Sequence, residues 1–183
     1  MVSQFVSSHE VPLLADLNYS FPEGIHAIGR LDKESEGLLL LTTNKKITRL
    51  LFQSEVAHKR SYLLQVRGIV EESSLELIRN GVEIPVSDGA NYTTKKCEIK
   101  IVEKPEGLFS SGYELHERVP CTWLLITLTE GKFHQVRKMV KAVGHPCKRL
   151  IRVSIEDLEL DGLLPGEIRE VTEDVFFIKL KLQ

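Results

Sequence analysis

The stretch Gly29–Asn44 reads GRLDKESEGLLLLTTN and places Asp32 in a polar segment just before four consecutive leucines. Two threonines and an asparagine follow the leucines. A short apolar run bounded in this way favours a buried strand over a helix. We therefore predict a strand over Leu38–Thr43, with the polar loop before it anchored at the edge of a core. Loops on a rigid scaffold often carry catalytic groups, which makes Asp32 the first candidate for such a group.

Further along the chain, apolar and period-two patterns predict more strands, and apolar residues at helical spacing predict three helices. The other predicted strands are Ser61–Arg67, Cys97–Glu103, Trp123–Thr129, Leu150–Ser154 and Phe177–Leu182. The predicted helices are Lys45–Phe52, Leu75–Asn80 behind a capping box that starts at Ser73, and His134–Val143. Strands outnumber helices and do not alternate with them, which predicts an α+β fold with a mixed, mostly antiparallel sheet. No linker or repeat divides the sequence, so we expect one domain over residues 1–183.

The composition excludes several classes of protein. With 42% hydrophobic and 27% charged residues among 183, the chain is typical of a soluble globular domain. No apolar run approaches the roughly 20 residues that cross a bilayer, and the first residues do not form a signal peptide. We therefore expect a cytoplasmic protein with no membrane partner. Three widely spaced cysteines without a C-x-x-C pair indicate neither a disulfide framework nor a zinc site.

Charge is segregated along the chain, although the net charge is only −2. Residues 132–152 contain seven Lys or Arg and no acid, and residues 42–70 contain six basic residues against Glu55. Residues 154–174 contain eight acids against one arginine. This distribution predicts either a basic face for phosphates beside an acidic surface, or charges that merely solvate helix faces.

Three segments together resemble one family. The GRLD segment resembles the active-site motif of RNA pseudouridine synthases, in which the aspartate is the catalytic nucleophile. The stretch at residues 130–139, EGKFHQVRKM, resembles the H-Q-[IV]-R segment of these enzymes, and Leu150-Ile151-Arg152 has their L-x-R form. Three motifs in the family's order are far more specific than any one of them. Motif spacing and chain size most resemble the RsuA family and, within it, the RluE-type enzymes of the large ribosomal subunit.

The resemblance implies the pseudouridine synthase fold, a mostly antiparallel sheet in two lobes with the active site in the cleft between them. It makes Asp32 the nucleophile, Arg137 the arginine that pairs with it, and Tyr62 the aromatic residue that stacks on the uracil. Ser35 stands where the family usually has Thr, and Arg60 where it usually has Lys. The S4-type RNA-binding domain of many members is absent. The family's leading N-terminal strand is also absent, which suggests a truncated start.

Further residues are expected to bind the substrate RNA. Leu150 would wall the base pocket, and Arg152 would bind phosphate or brace the site. Lys138 and Lys141 suit phosphate contacts, and His134 is expected to contact backbone or RNA rather than act as a general base. The complete predicted set is Arg30, Arg60, Lys132, His134, Gln135, Lys138, Lys141, Leu150 and Arg152.

The reaction implied is isomerisation of a specific uridine to pseudouridine in ribosomal RNA, with 23S rRNA as the expected partner of a monomeric enzyme. The base leaves the ribose through its nitrogen and returns through carbon 5, without redox chemistry or energy input. The resemblance therefore implies no cofactor and no metal. A carboxylate suits the step, as it does at the sugar carbons of glycosidases. The sequence leaves open whether Asp32 attacks the ribose or promotes elimination to a glycal.

Other interpretations remain open at this point. Asp32 has the residue type of a turn or helix N-cap position, which would give it a purely structural role. The chain would then be a noncatalytic RNA- or ribosome-binding module of the same fold. A carboxylate-dependent sugar hydrolase is a third possibility, and it would need a second carboxylate such as Glu34 or Glu36 near Asp32. The loop between Glu103 and Val119 either faces RNA or is a surface excursion.

Overall fold

The computed structural model describes residues 1–52, 56–86 and 89–182, except for the side chain of Phe52. These residues form ten strands and four α-helices, and a 3-10 turn lies at Leu14–Asp16. In chain order the elements are β1 (His26–Ile28), β2 (Glu36–Gly37), β3 (Leu40–Thr42), α1 (Lys46–Phe52), β4 (Arg60–Arg67), α2 (Glu72–Asn80), β5 (Glu83–Pro85), β6 (Asn91–Thr93), β7 (Glu98–Val102), β8 (Cys121–Leu128), α3 (Gln135–Ala142), β9 (Cys147–Ile155), β10 (Leu158–Glu159) and α4 (Glu173–Leu180).

The main sheet has the strand order β10-β9-β4-β8-β7, and β2 lies against β9. The pairing of β2 with β9 is parallel, and the other pairs of this sheet are antiparallel. The long strands β4 and β8 lie side by side at its centre, and most of their side chains are buried. Burial on both faces explains the largely apolar sequence of β8. The predicted mixed, mostly antiparallel α+β architecture is confirmed.

The segment that contains the leucines crosses from one sheet to another and does not form one continuous strand. Residues 36–37 pair with β9, and residues 40–42 pair with β1 in a separate small sheet. The observed strand β3 therefore begins two residues later than the predicted strand Leu38–Thr43 and ends one residue earlier. Gly37 makes the crossing feasible because its φ is +99°, and a Cβ there would lie 2.3 Å from the carbonyl oxygen of Arg152. The polar loop is thus joined directly to the middle of β9.

Most buried apolar residues belong to two separate hydrophobic cores. One packs α2 and α3 against the main sheet, with Leu64, Leu124 and Met139 fully buried at its centre. The other joins β1, β3, α1 and α4 around Ile28 and Ile47. This division corresponds to the two lobes expected from the sequence. The three predicted helices are all present, and each of their ends lies within three residues of the predicted one.

Two local predictions are wrong. Phe177–Leu182 was expected to be a strand, but it lies mostly within α4, where Phe176 and Leu180 are buried in the second core. The Thr172 side chain caps this helix by accepting a hydrogen bond from the Val175 amide, and two acids occupy its first turn, which favours a helix. The capping box at Ser73 is not used, because α2 begins at Glu72 without a side-chain cap.

The segment between β7 and β8 covers the outer face of the main sheet. Leu108 and Phe109 pack on the cluster of Leu63, Trp123 and Ile151. This contact favours the surface-excursion interpretation of the loop, since it lies away from the second core. None of the helices in the described residues is long and apolar enough to cross a bilayer.

Candidate active site

An open cavity of about 520 Å³ lies between the two cores, which is a volume typical of ligand sites. Its walls come from the loop after β1, the beginning of β4, the end of β8, the loop before α3 and the middle of β9. The apolar part of the wall includes Leu128, Val136 and Leu150, and the remainder is largely polar or charged. Asp32 lies on this surface.

The main chain at Asp32 forms a tight turn that leaves the carboxylate free for other contacts. The Ser35 amide donates a hydrogen bond to the Asp32 carbonyl oxygen at 2.9 Å. Just before it, Leu31 is held by the Ser3 hydroxyl, which accepts from the Leu31 amide and donates to the Leu31 carbonyl. The Asp32 side chain is one-third exposed, and its Oδ1 lies 3.4 Å from Nε2 of His134. The turn therefore uses the backbone of Asp32 and presents its carboxylate to the cavity.

Sheet register brings Arg152 and Tyr62 to the same place. They are direct partners across the antiparallel β4–β9 pair, and Gly37 lies beside Arg152 on its other side. The Arg152 guanidinium is almost fully buried and donates from Nε to the Leu38 carbonyl at 2.8 Å. Its Nη2 has no hydrogen-bond partner among the residues that the structure describes. A buried, unsatisfied donor is costly, which suits an atom that contacts a bound substrate.

Electrostatics links these groups to Asp32. Burial lowers the pKa of Arg152, while the Tyr62 hydroxyl and the Asp32 carboxylate act in the opposite direction by favouring the charged guanidinium. Burial likewise lowers the pKa of Arg60, which lies at the start of β4 in the same wall. Arg152 and Arg60 thus place two partly desolvated guanidinium groups in the cavity wall that also contains Asp32.

The loop before α3 is held by a buried amide. Gln135 accepts a hydrogen bond from the Lys132 amide at 2.8 Å and donates to Glu130 at 2.7 Å. Burial raises the pKa of Glu130, but hydrogen bonds from Tyr92, the Lys95 amide and Gln135 outweigh it and bring this pKa below its usual value. Glu130 is therefore a structural anion that fixes the loop. An anion of lowered pKa is unsuited to act as the general acid of a glycosidase.

The structure places two of the three predicted catalytic residues at the cavity, and Arg137 is the exception. Its guanidinium donates to the backbone carbonyls of Glu34 at 2.6 Å and Cys147 at 3.4 Å, whereas the side chain in contact with Asp32 is His134. Nε of Arg137 is buried and has no hydrogen-bond partner among the described residues, and its pairing with Asp32 stays a prediction. Arg137 lies on α3 behind the turn, so it braces the loop through main-chain contacts.

The predicted RNA-binding residues divide in the same way. Lys138 and Lys141 are not part of the cavity wall, and Lys138 donates to the Pro85 carbonyl. The residues of the predicted set that line the cavity are Arg30, Arg60, Lys132, His134, Gln135, Leu150 and Arg152. Sequence reasoning missed His58, Lys95 and Phe133. Phe133 and His58 had a signal, since they lie close to the H-Q-V-R motif and to Arg60, whereas Lys95 lies in a segment without a motif.

Other nucleophiles and carboxylates are poorly placed. Burial raises the pKa of both Cys97 and Cys147 to about 11, so neither thiol ionises readily near neutral pH. Glu36 forms an ion pair with Arg149 at 2.8 Å, and neither Glu34 nor Glu36 lines the cavity. The second carboxylate that a sugar hydrolase requires is therefore not supplied by the residues proposed for it.

Comparisons with known proteins agree with this geometry. The family described as RNA pseudouridylate synthase matches residues 6–142. The chain is 35% identical over 173 residues to ribosomal large subunit pseudouridine synthase E of Vibrio vulnificus, covering 93% of this chain and 70% of that protein. It is 34% identical to the protein of the same name from Xanthomonas axonopodis, with coverages of 90% and 85%. A crystal structure of a pseudouridylate synthase superposes with a TM-score of 0.77 at 25% identity, covering 98% of this chain and 68% of the other.

Proposed function

Since the chain belongs to the RNA pseudouridylate synthase family, we propose that it converts a uridine of large-subunit ribosomal RNA to pseudouridine, with Asp32 as the nucleophile. The observation that carries this proposal is the meeting of Asp32, Tyr62 and Arg152 in one open cavity. The names of the Vibrio and Xanthomonas relatives support ribosomal RNA as the substrate class. We further propose that residues 1–183 act as one catalytic domain, as a monomer in the cytoplasm.

The arrangement assigns a role to each of these side chains. The Asp32 carboxylate reaches the ribose of the bound uridine, and both direct attack at C1′ and elimination to a glycal would start from there. The bond from C1′ to N1 breaks, the uracil turns, and a bond from C1′ to C5 forms as the C5 proton leaves. The Tyr62 ring supports the extruded base by stacking. Arg152 offers its unsatisfied Nη2 to the substrate.

Two arginines are candidates for pairing with Asp32, the predicted Arg137 and Arg152. An arginine beside a carboxylate can fix the orientation of that carboxylate. Arg152 lines the same cavity as Asp32. Arg137 holds the backbone of the loop that carries Asp32, and its Nε is buried without a hydrogen-bond partner among the described residues.

The reaction has a signature that tests the function directly. Because a carbon–carbon bond replaces the C5–H bond, an RNA carrying tritium at C5 of uridine should release tritium to water without a change in RNA length. We expect the purified protein to release it from a large-subunit rRNA transcript and not from a small-subunit transcript. Release from neither transcript would contradict the proposed activity, and equal release from both would contradict the choice of substrate.

Contacts between RNA phosphates and the exposed lysines of residues 132–152 should determine much of the RNA affinity. We expect the double variant Lys141→Gln, Lys148→Gln to bind RNA more weakly and to lower the slope of log affinity against log salt by about 1.4, at roughly 0.7 per phosphate contact with single strands. Both side chains are exposed. The control is Lys100→Gln, Lys179→Gln, which changes the net charge equally at exposed positions on β7 and α4. Equal slopes for the two variants would show that Lys141 and Lys148 do not contact RNA.

A further inference from the structure

Phe133 projects from the cavity rim in a way that packing does not explain. Its side chain is 74% exposed, although it is part of the cavity wall. Single exposed apolar residues are common on protein surfaces and by themselves indicate nothing. The surroundings of Phe133, however, are aromatic, basic and rigid, and they adjoin the nucleophile.

The Phe133 ring has two neighbours and remains largely exposed. It stacks on the His134 ring with 3.9 Å between centroids and 20° between planes, and the Lys138 ammonium lies over it. An exposed fraction of 74% means that much of the ring surface is open to solvent despite these contacts. His134 adopts a left-handed backbone conformation (φ 54°, ψ 29°), which sets the direction in which Phe133 leaves the loop. The buried Gln135 anchors the same turn through Lys132 and Glu130.

The position of the ring relative to the nucleophile is equally specific. His134 contacts Asp32 through Nε2 at 3.4 Å and contacts Phe133 through its ring face. His134 therefore lies between Phe133 and the Asp32 carboxylate and contacts both. Phe133 is too far out to receive the reacting uracil, yet it is adjacent to the nucleotide that follows or precedes it.

A positive charge adjoins this position. The Lys138 ammonium lies 5.4 Å from the centroid of the Phe133 ring, and Lys132, the preceding residue, places its ammonium 4.7 Å from the centroid of Tyr92. An exposed ring beside an ammonium group combines the two features that bind single-stranded nucleic acid, which are base stacking and phosphate attraction. Because the loop is already rigid, little conformational entropy would be lost on binding.

We propose that Phe133 is a stacking site for an unpaired nucleobase next to the target uridine, with His134 as its support. The ligand class is a single-stranded RNA base of any identity, since every base offers a face to stack. This inference rests on the proposed function and deepens it by adding a second contact point for the RNA. Phe133 is here a binding residue and takes no part in bond breaking.

The test separates base stacking from charge and from general apolar contact. In an Asp32→Asn background, which prevents turnover, we compare Phe133→Leu, Phe133→Tyr and the control Ile178→Ala, whose side chain is also 74% exposed. The probes are a 12-nucleotide oligouridylate and an abasic ribose-phosphate chain of equal length. Phe133→Leu should weaken oligouridylate binding by about 5- to 150-fold, the range for loss of one base stack, and leave abasic binding unchanged. Phe133→Tyr and Ile178→Ala should bind both probes like the parent protein.

Two results would overturn the inference. One is oligouridylate binding by Phe133→Leu that equals that of the parent, and the other is an equal loss for both probes, which would indicate a structural or electrostatic effect. With Asp32 restored, Phe133→Leu should raise KM for RNA with kcat unchanged. Failure of the proposed function is separately visible, because it would abolish tritium release by the protein with its natural Phe133.

Discussion

Replacing Asp32 with Asn is expected to reduce isomerisation by at least about 1,000-fold while folding and RNA binding persist. Asparagine has nearly the same size and is favoured in turns, so the hydrogen bond from the Ser35 amide to the carbonyl of residue 32 should remain. The substitution removes the nucleophilic oxygen and the charge that faces Arg152. Affinity should survive because it comes mainly from phosphate contacts.

The measurement is tritium release from a C5-labelled rRNA transcript at matched protein concentration, with RNA affinity measured in parallel. Glu34→Gln is the matched control, because Glu34 is an exposed acid of the same loop and its side chain is outside the cavity wall. We expect Glu34→Gln to retain activity. Substantial turnover by Asp32→Asn would return Asp32 to a structural turn residue and refute the mechanism.

Replacing Arg149 with Met is expected to destabilise the fold by about 3–5 kcal/mol, the range for removing one partner of a buried ion pair. Arg149 is fully buried and forms ion pairs with Glu36 at 2.8 Å and Glu114 at 2.9 Å. It also donates to the Phe109 carbonyl at 2.7 Å and lies over the Phe109 ring. Methionine would fill much of the volume but leave two partly buried carboxylates facing each other. Since native domains are stable by only about 5–15 kcal/mol, the variant should be marginal.

Urea unfolding measures this effect, and two further variants identify its cause. Arg169→Met removes an exposed arginine that pairs with Asp161 and should change the free energy of unfolding by less than about 1 kcal/mol. Adding Glu36→Gln and Glu114→Gln to Arg149→Met should restore part of the lost stability, because the uncompensated charges disappear. If Arg149→Met were no more destabilising than Arg169→Met, the buried network would not hold the β7–β8 segment in place.

Burial of arginines makes the basic surface smaller than the charge count along the sequence predicts. Of the seven Lys and Arg residues between 132 and 152, Arg149 and Arg152 are buried, and Arg137 donates to backbone carbonyls. Counting charges along the chain cannot distinguish an arginine that points outward from one that points into the core. The exposed lysines remain available for phosphate, and the buried arginines serve the sheet and the nucleophile instead.

The sequence by itself determined the features that depend on short segments. These are the nucleophile in its loop, the helices α1 to α3 and the central strands β4 and β8, because periodicity and turn chemistry are local properties. Only the tertiary structure decided that Arg152 lines the cavity with Asp32 and that Arg137 does not, since strand register between β4, β9 and β2 sets the neighbourhood of Arg152. Burial in the second core likewise decided that residues 173–180 form a helix although their end reads as a strand. In each case the deciding contact joins residues far apart in the chain. The Thr172 cap and the acids of the first turn are a local signal for α4, whereas no local pattern encodes the neighbourhood of Arg152.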